Sequence, residues 1–191
     1  LRDVTDKIKI AGKKSFVDYG IYAGVTNNNI ESIETLATKC SGFKIYLGGS
    51  TNALAFDKRN LKKALEKITI SKKPVMFHAE DGAVVSELEE KFNGNTSFES
   101  YYTAHPPEAE DTAVKRVLKC GYGKATHIHF CHISSINSLK LIKAAKNQGR
   151  KITCEVTPHH LLLDESLSKL GGISIMDPPL RKKEVAKSLF T

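Results

Sequence analysis

Side chains that bind cations or move protons recur where short apolar runs end: Lys44 within FKIYL, His78 in VMFHAE, Cys131 and His132 in HIHFCHIS, and Glu155, His159 and His160 in CEVTPHH. Neutral imidazole is a borderline-soft nitrogen ligand suited to zinc, and carboxylate-type oxygens complete such a shell at roughly 2 Å. Alternation in FKIYL sets Lys44 and Tyr46 on one face and Phe43, Ile45 and Leu47 on the other. In a parallel sheet both faces are covered, so the amine needs a partner or a changed protonation state. A desolvated amine can act as a nucleophile, or take up carbon dioxide as a carbamate, an anionic oxygen ligand able to bridge two cations. His78, His132 and a carbamylated Lys44 would supply three ligands and leave a position for water, a catalytic rather than a structural set. A lone strand histidine or cysteine is more often an ordinary core residue, so the weight lies on the convergence of several strand ends. His127 and His129 share a face but sit earlier in their strand and read as core or as support for the ligands.

Positioning these residues falls to a regular alternation of elements. Strands are expected in SFVDYG, IYAGV, FKIYLG, PVMFHAE, ATHIHFCH and KITCEV, with helices over 29–40, 58–70, 82–92, 107–120 and 135–148 and a short one near 164–169. Asp57 and Ser134 open two helices, Pro107 takes its favoured first-turn place, and Gly121 and Gly149 stop two more. The stretch 93–106 has turn residues and weak periodicity and reads as an inserted loop. The architecture is α/β, parallel strands with crossover helices, in which strand-end side chains distant in sequence converge on one mouth.

The chain has 191 residues, 29 Lys and Arg against 21 Asp and Glu for a net charge of +8, and 40% hydrophobic residues, which excludes a disordered chain. No apolar run reaches the roughly 18 residues of a membrane span, and LRDVTDKIKIAGKK lacks a signal-peptide core, so a soluble, cytoplasmic protein is expected. Cysteines 40, 120, 131 and 154 form no CxxC pair and lie in or beside apolar runs, which favours reduced thiols. With 7% aromatic residues and no recognition motif, the basic excess reads as a solvated lysine surface rather than a nucleic-acid footprint.

Taken in order, GFKIYLGGST, VMFHAED, HFCHISS, CEVTPHHLLL and DPPLR resemble the dihydroorotases of the amidohydrolase superfamily, from about Phe16 to Arg181. Hydantoinases and allantoinases share much of the set. The resemblance implies part of a (β/α)8 TIM barrel and a zinc-dependent, reversible cyclisation of carbamoyl aspartate to dihydroorotate in pyrimidine biosynthesis. The alternatives are a hydantoinase or allantoinase, or a non-catalytic scaffold. It further implies that Lys44 is carbamylated and bridges two zinc ions, that His78 and His132 bind one of them, and that Cys131 and Glu155 hold an additional zinc. His160 and Arg181 would contact a small anionic cyclic-amide substrate. It leaves open a homo-oligomer or a pyrimidine-pathway partner.

Two departures stand out. The family's early HxH with its nearby arginine, and the late DHAP aspartate that handles the leaving-group proton, have no counterpart in these residues. The catalytic acid-base is therefore unassigned, and residues 1–191 read as one partial barrel domain with negligible turnover alone. The family usually has Asn before PPLR, where this chain has Asp177, a negative charge unhelpful to an anionic substrate.

Overall fold

The computed structural model describes residues 2–48, 54–92, 97–124 and 126–190. Among them, β1 (Tyr22–Gly24), β2 (Gly42–Tyr46), β3 (Val75–His78), β4 (Ile128–Phe130) and β5 (Ile152–Cys154) form one sheet in sequence order, every neighbouring pair parallel. Sequential order without a switch point is how the strands of a (β/α)8 barrel follow one another, which agrees with the α/β expectation.

The helices between them form because their apolar residues recur on one face; α2 (Ile33–Ala37), shorter than the expected 29–40, buries Ile33 and Leu36. In α3 (Leu61–Ser71), Leu61, Ala64, Leu65 and Ile68 are buried at helical spacing. α6 (Pro107–Cys120) starts on Pro107 with Glu108 and Glu110 in its first turn, where the helix dipole favours acids, and buries Ala113, Val114 and Val117. Asp57 accepts from Arg59 N at the 3-10 turn Lys58–Asn60 that leads into α3, and Asp81 accepts from Ala83 N at the start of α4 (Gly82–Glu90). The cap of α7 (Ile136–Asn147) is Ser135, one residue beyond the expected Ser134. Phe43, Ile45, Val75, Phe77, Ile128 and Phe130 leave the strands for the helix side and are buried with these faces, Phe77 and Phe130 lying 6.1 Å apart between ring centres.

Register fixes what the opposite face carries. Gly24, Lys44, Met76, His129 and Thr153 are successive partners across the five strands, so Lys44 and His129 share one row two strands apart. Tyr46 pairs with His78 one step further along. Gly42 is required where β2 approaches β3 and β1, since a Cβ there would meet Tyr22 Cε1 at 2.5 Å and the Pro74 carbonyl at 2.9 Å.

Several expectations change. SFVDYG is not a strand: residues 15–20 are exposed and irregular after α1 (Arg2–Lys14), a helix the sequence reading passed over, and no described strand pairs with them. The presumed inserted loop contains α5 (Phe98–Ala104), with Ser97 accepting from Ser100 N as its cap. PHH opens α8 (Pro158–Leu162), the helix near 164–169 is a 3-10 stretch over Glu165–Ser174, and α9 (Lys183–Leu189) follows. These pieces are short, which leaves little periodicity to read. The GGST part of the lysine motif falls mostly at 49–51, outside the described residues. All four cysteines are free, and no helix among the described residues is long and apolar enough to cross a membrane.

Candidate metal centre

His78 closes β3 and is 3% exposed. His132 follows β4 with its backbone in the left-handed region, φ 38°, which is uncommon for a residue with a Cβ and points to a demand made by its surroundings. That turn brings His132 Nε2 to 3.2 Å from His78 Nδ1, the rings edge-on with centres 4.9 Å apart. Two nitrogens on neighbouring corners of a tetrahedral zinc shell lie about 3.3 Å apart, so this pair has the spacing of two ligands to one cation.

Lys44 is half-buried on the same side of the sheet. Its Nζ donates to Cys131 Sγ at 3.1 Å and lies 5.0 Å from the centre of the Tyr46 ring. The amine thus has the partner that its place in a covered strand demands.

Two groups of metal-ligating atoms converge here, each lying within 4.8 Å of one another: His129, Cys131 and Glu155; and His78, Glu80 and Asp177. In the first, His129 Nε2 is buried with no hydrogen bond and lies 3.4 Å from Glu155 Oε2, while its Nδ1 contacts Thr153 Oγ1 at 2.8 Å. In the second, His78 Nε2 and Glu80 Oε1 are buried and likewise without hydrogen bonds. Buried polar atoms in folded proteins nearly always have partners, so donors left open toward a shared centre fit a site for cations. The donor set of imidazole, thiol and carboxylate suits zinc chemically.

Glu80 and His105 form a buried pair, His105 Nδ1 to Glu80 Oε2 at 2.9 Å, with Tyr101 stacked on the His105 ring at 4.3 Å. Burial alone would raise the Glu80 carboxyl, but His105 and His78 outweigh it and hold it at about 2. Burial opposes charge on His105 too, yet Glu80 raises its pKa above the usual value. Asp177 is raised, by burial first and by Glu80 as well. Burial pushes the Cys131 thiol up against the pull of Lys44, so a cation there would have to displace a proton.

His160 and Arg181, the expected substrate contacts, are both buried and engaged. His160 Nε2 donates to the Pro178 carbonyl at 2.9 Å and its Nδ1 accepts from Thr157 Oγ1 at 2.6 Å. Arg181 donates to the His105 carbonyl at 2.6 Å and to Ser134 Oγ at 3.1 Å, leaving Nη2 without a partner. Both fasten the segment that carries Asp177. The sequence reading placed His129 behind the ligands and passed over Glu80 and His105. The HxH spacing and the acid two residues after His78 were the available signals.

Burial, then the charges on His78 and Lys44, lowers His132 to about 3, and burial lowers His160 to about 4. An imidazole depressed in the folded state protonates first in the unfolded chain, so each withdraws stability as pH falls below the ordinary value of about 6.5. His105, raised instead, contributes fully below 6.5 and loses that contribution only as pH rises through its folded value. From pH 6.5 to 4 the metal-free chain is therefore expected to lose up to about 1.4 kcal/mol per pH unit for each of the two depressed rings. Urea midpoints measured across that range would refute this by staying level.

No family model matches the chain. It is 33% identical over 98% of its length to a dihydroorotase of Methanosarcina acetivorans, and 32% identical over 96% to an allantoinase of Bacillus velezensis. It spans 42% of the length of each. Among solved structures, an L-hydantoinase from Arthrobacter aurescens superposes with a TM-score of 0.91 at 23% identity, over 98% of this chain and 43% of that one, a likeness of fold.

Proposed function

We propose, for a chain that is an amidohydrolase-superfamily domain of the cyclic-amidohydrolase type, that the strand-end cluster is the metal-binding part of a site that hydrolyses a ring amide. The observation that carries this reading is the imidazole pair, His78 Nδ1 and His132 Nε2 at 3.2 Å, with Lys44 beside Cys131 on the same side of the sheet. His78 and His132 would hold one zinc ion, which Lys44 as its carbamate would bridge to a second, and Cys131 and Glu155, joined by His129, would hold a further one. Bound metal supplies polarisation of the amide carbonyl and a water nucleophile at neutral pH. The chain's own part is to keep ring nitrogens, thiol and carboxylates aimed at one mouth, and to hold the Asp177 segment over it through His160 and Arg181.

A neutral ring of the hydantoin or allantoin kind fits the charges best. Glu80 and Asp177 both stand against His78, where a substrate carboxylate would meet like charge, and Arg181 keeps only its buried Nη2 beyond its bonds to Ser134 and the His105 carbonyl. The likeness to an archaeal dihydroorotase favours the second reading, reversible closure of carbamoyl aspartate to dihydroorotate in pyrimidine synthesis. Residues 1–191 are taken as part of one barrel domain whose HxH strand and DHAP aspartate are not among them. These residues alone are expected to bind metal incompletely and to turn over negligibly. Four free thiols support a cytoplasmic setting.

The test is a panel of hydantoin, allantoin and dihydroorotate, assayed on the protein read from the complete coding sequence with zinc and bicarbonate. Turnover of the neutral rings supports the first reading and turnover of dihydroorotate alone the second. No turnover, with less than one bound metal, would establish a non-catalytic scaffold.

A further inference from the structure

An imidazole that gives its Nδ1 lone pair to a cation carries its proton on Nε2, and a buried N–H needs an acceptor. His78 Nε2 is buried, forms no hydrogen bond, and faces two carboxylates, Asp177 Oδ2 at 3.5 Å and Glu80 Oε2 at 3.6 Å. They are not equivalent. The Glu80 oxygen that faces His78 already accepts from His105 Nδ1 at 2.9 Å. Asp177 is the nearer, and its Oδ1, like Glu80 Oε1, lacks any hydrogen bond.

Its segment is also tied down on both sides. Tyr101 Oη donates to the Met176 carbonyl at 3.2 Å, His160 to the Pro178 carbonyl at 2.9 Å, and Arg181 to the His105 carbonyl at 2.6 Å. A carboxylate anchored this way can hold a ring orientation at little entropic cost.

We propose that Asp177 is a positioning residue: it accepts from His78 Nε2–H and fixes the tautomer that leaves Nδ1 open toward a cation. The 3.5 Å separation closes to a hydrogen bond when the centre is loaded, as contacts in unloaded sites commonly do. The inference rests on the reading of His78 and His132 as a metal-binding pair.

Two measurements on the protein read from the complete coding sequence decide it. Imidazole 15N NMR of the metal-free chain reads the His78 tautomer, and competition with a chromophoric chelator reads zinc affinity. The Nε2–H form is expected in the parent. Asp177→Ala should give a mixture of tautomers and weaken zinc binding about 10–100-fold, the usual cost of losing a partner behind a metal ligand. Asp177→Asn, which keeps a neutral acceptor, should stay within about threefold of the parent. Should the alanine variant melt early, Asp177→Leu, apolar and of similar size, repeats the comparison. An Nδ1–H parent, or removal of the acceptor with tautomer and affinity both unchanged, overturns the proposal. A parent that binds no zinc sinks the metal reading instead, while the tautomer still reports on Asp177.

Discussion

Zinc affinity should collapse when His132 becomes asparagine, by more than the roughly 10–100-fold that loss of an outer partner costs. His132 supplies one of the two ring nitrogens that stand at ligand spacing, and its left-handed backbone makes alanine a poor probe. Asparagine tolerates that conformation and is shorter than the imidazole, so it removes the ligand without straining the turn. Chelator competition gives the affinity, and circular dichroism confirms that the fold persists. A variant that bound zinc within about tenfold of the parent would remove His132 from the site, since losing a direct ligand must cost at least as much as losing its support.

Glu110→Ala should cost about 3–5 kcal/mol. Glu110 is 3% exposed and accepts from Ser134 N at 2.9 Å, Ser134 Oγ at 2.7 Å and Ser135 N at 3.0 Å. Truncation leaves these donors unsatisfied and deprives the buried Arg181 guanidinium of its principal nearby negative charge. Because these contacts hold the residues just after His132, the damage should reach the site as well. Glu110→Gln keeps one acceptor oxygen and should cost less than half as much. Urea denaturation measures both, and an alanine variant within about 1 kcal/mol of the parent would contradict this account.

The Asp177 segment shows how tertiary contacts redirect side chains that sequence alone assigns to a ligand. Arg181 and His160 sit in motifs whose resemblance implies substrate contact, and charge-assisted recognition of a carboxylate is what an arginine at a mouth usually offers. Here each is buried and donates to a main-chain carbonyl, which fits a role in holding the segment. Glu80 and His105 lie 25 residues apart and meet only because α5 folds back beside the end of β3. No local pattern encodes that meeting: Tyr101 and His105 share a short helix and its cap, too brief for a readable period.

The sequence by itself determined the alternation of parallel strands and helices, and it placed Lys44, His78, His132 and Glu155 at or near strand ends. Side-chain period and capping are local properties, carried by residues within a few positions of one another. The tertiary structure decided which of those ends face each other: that His78 and His132 stand 3.2 Å apart, that His129 joins Cys131 and Glu155, and that Asp177 comes to rest against His78. Such distances depend on strand register and on where loops dock, both set by the burial of side chains far apart along the chain, so no window of sequence contains them.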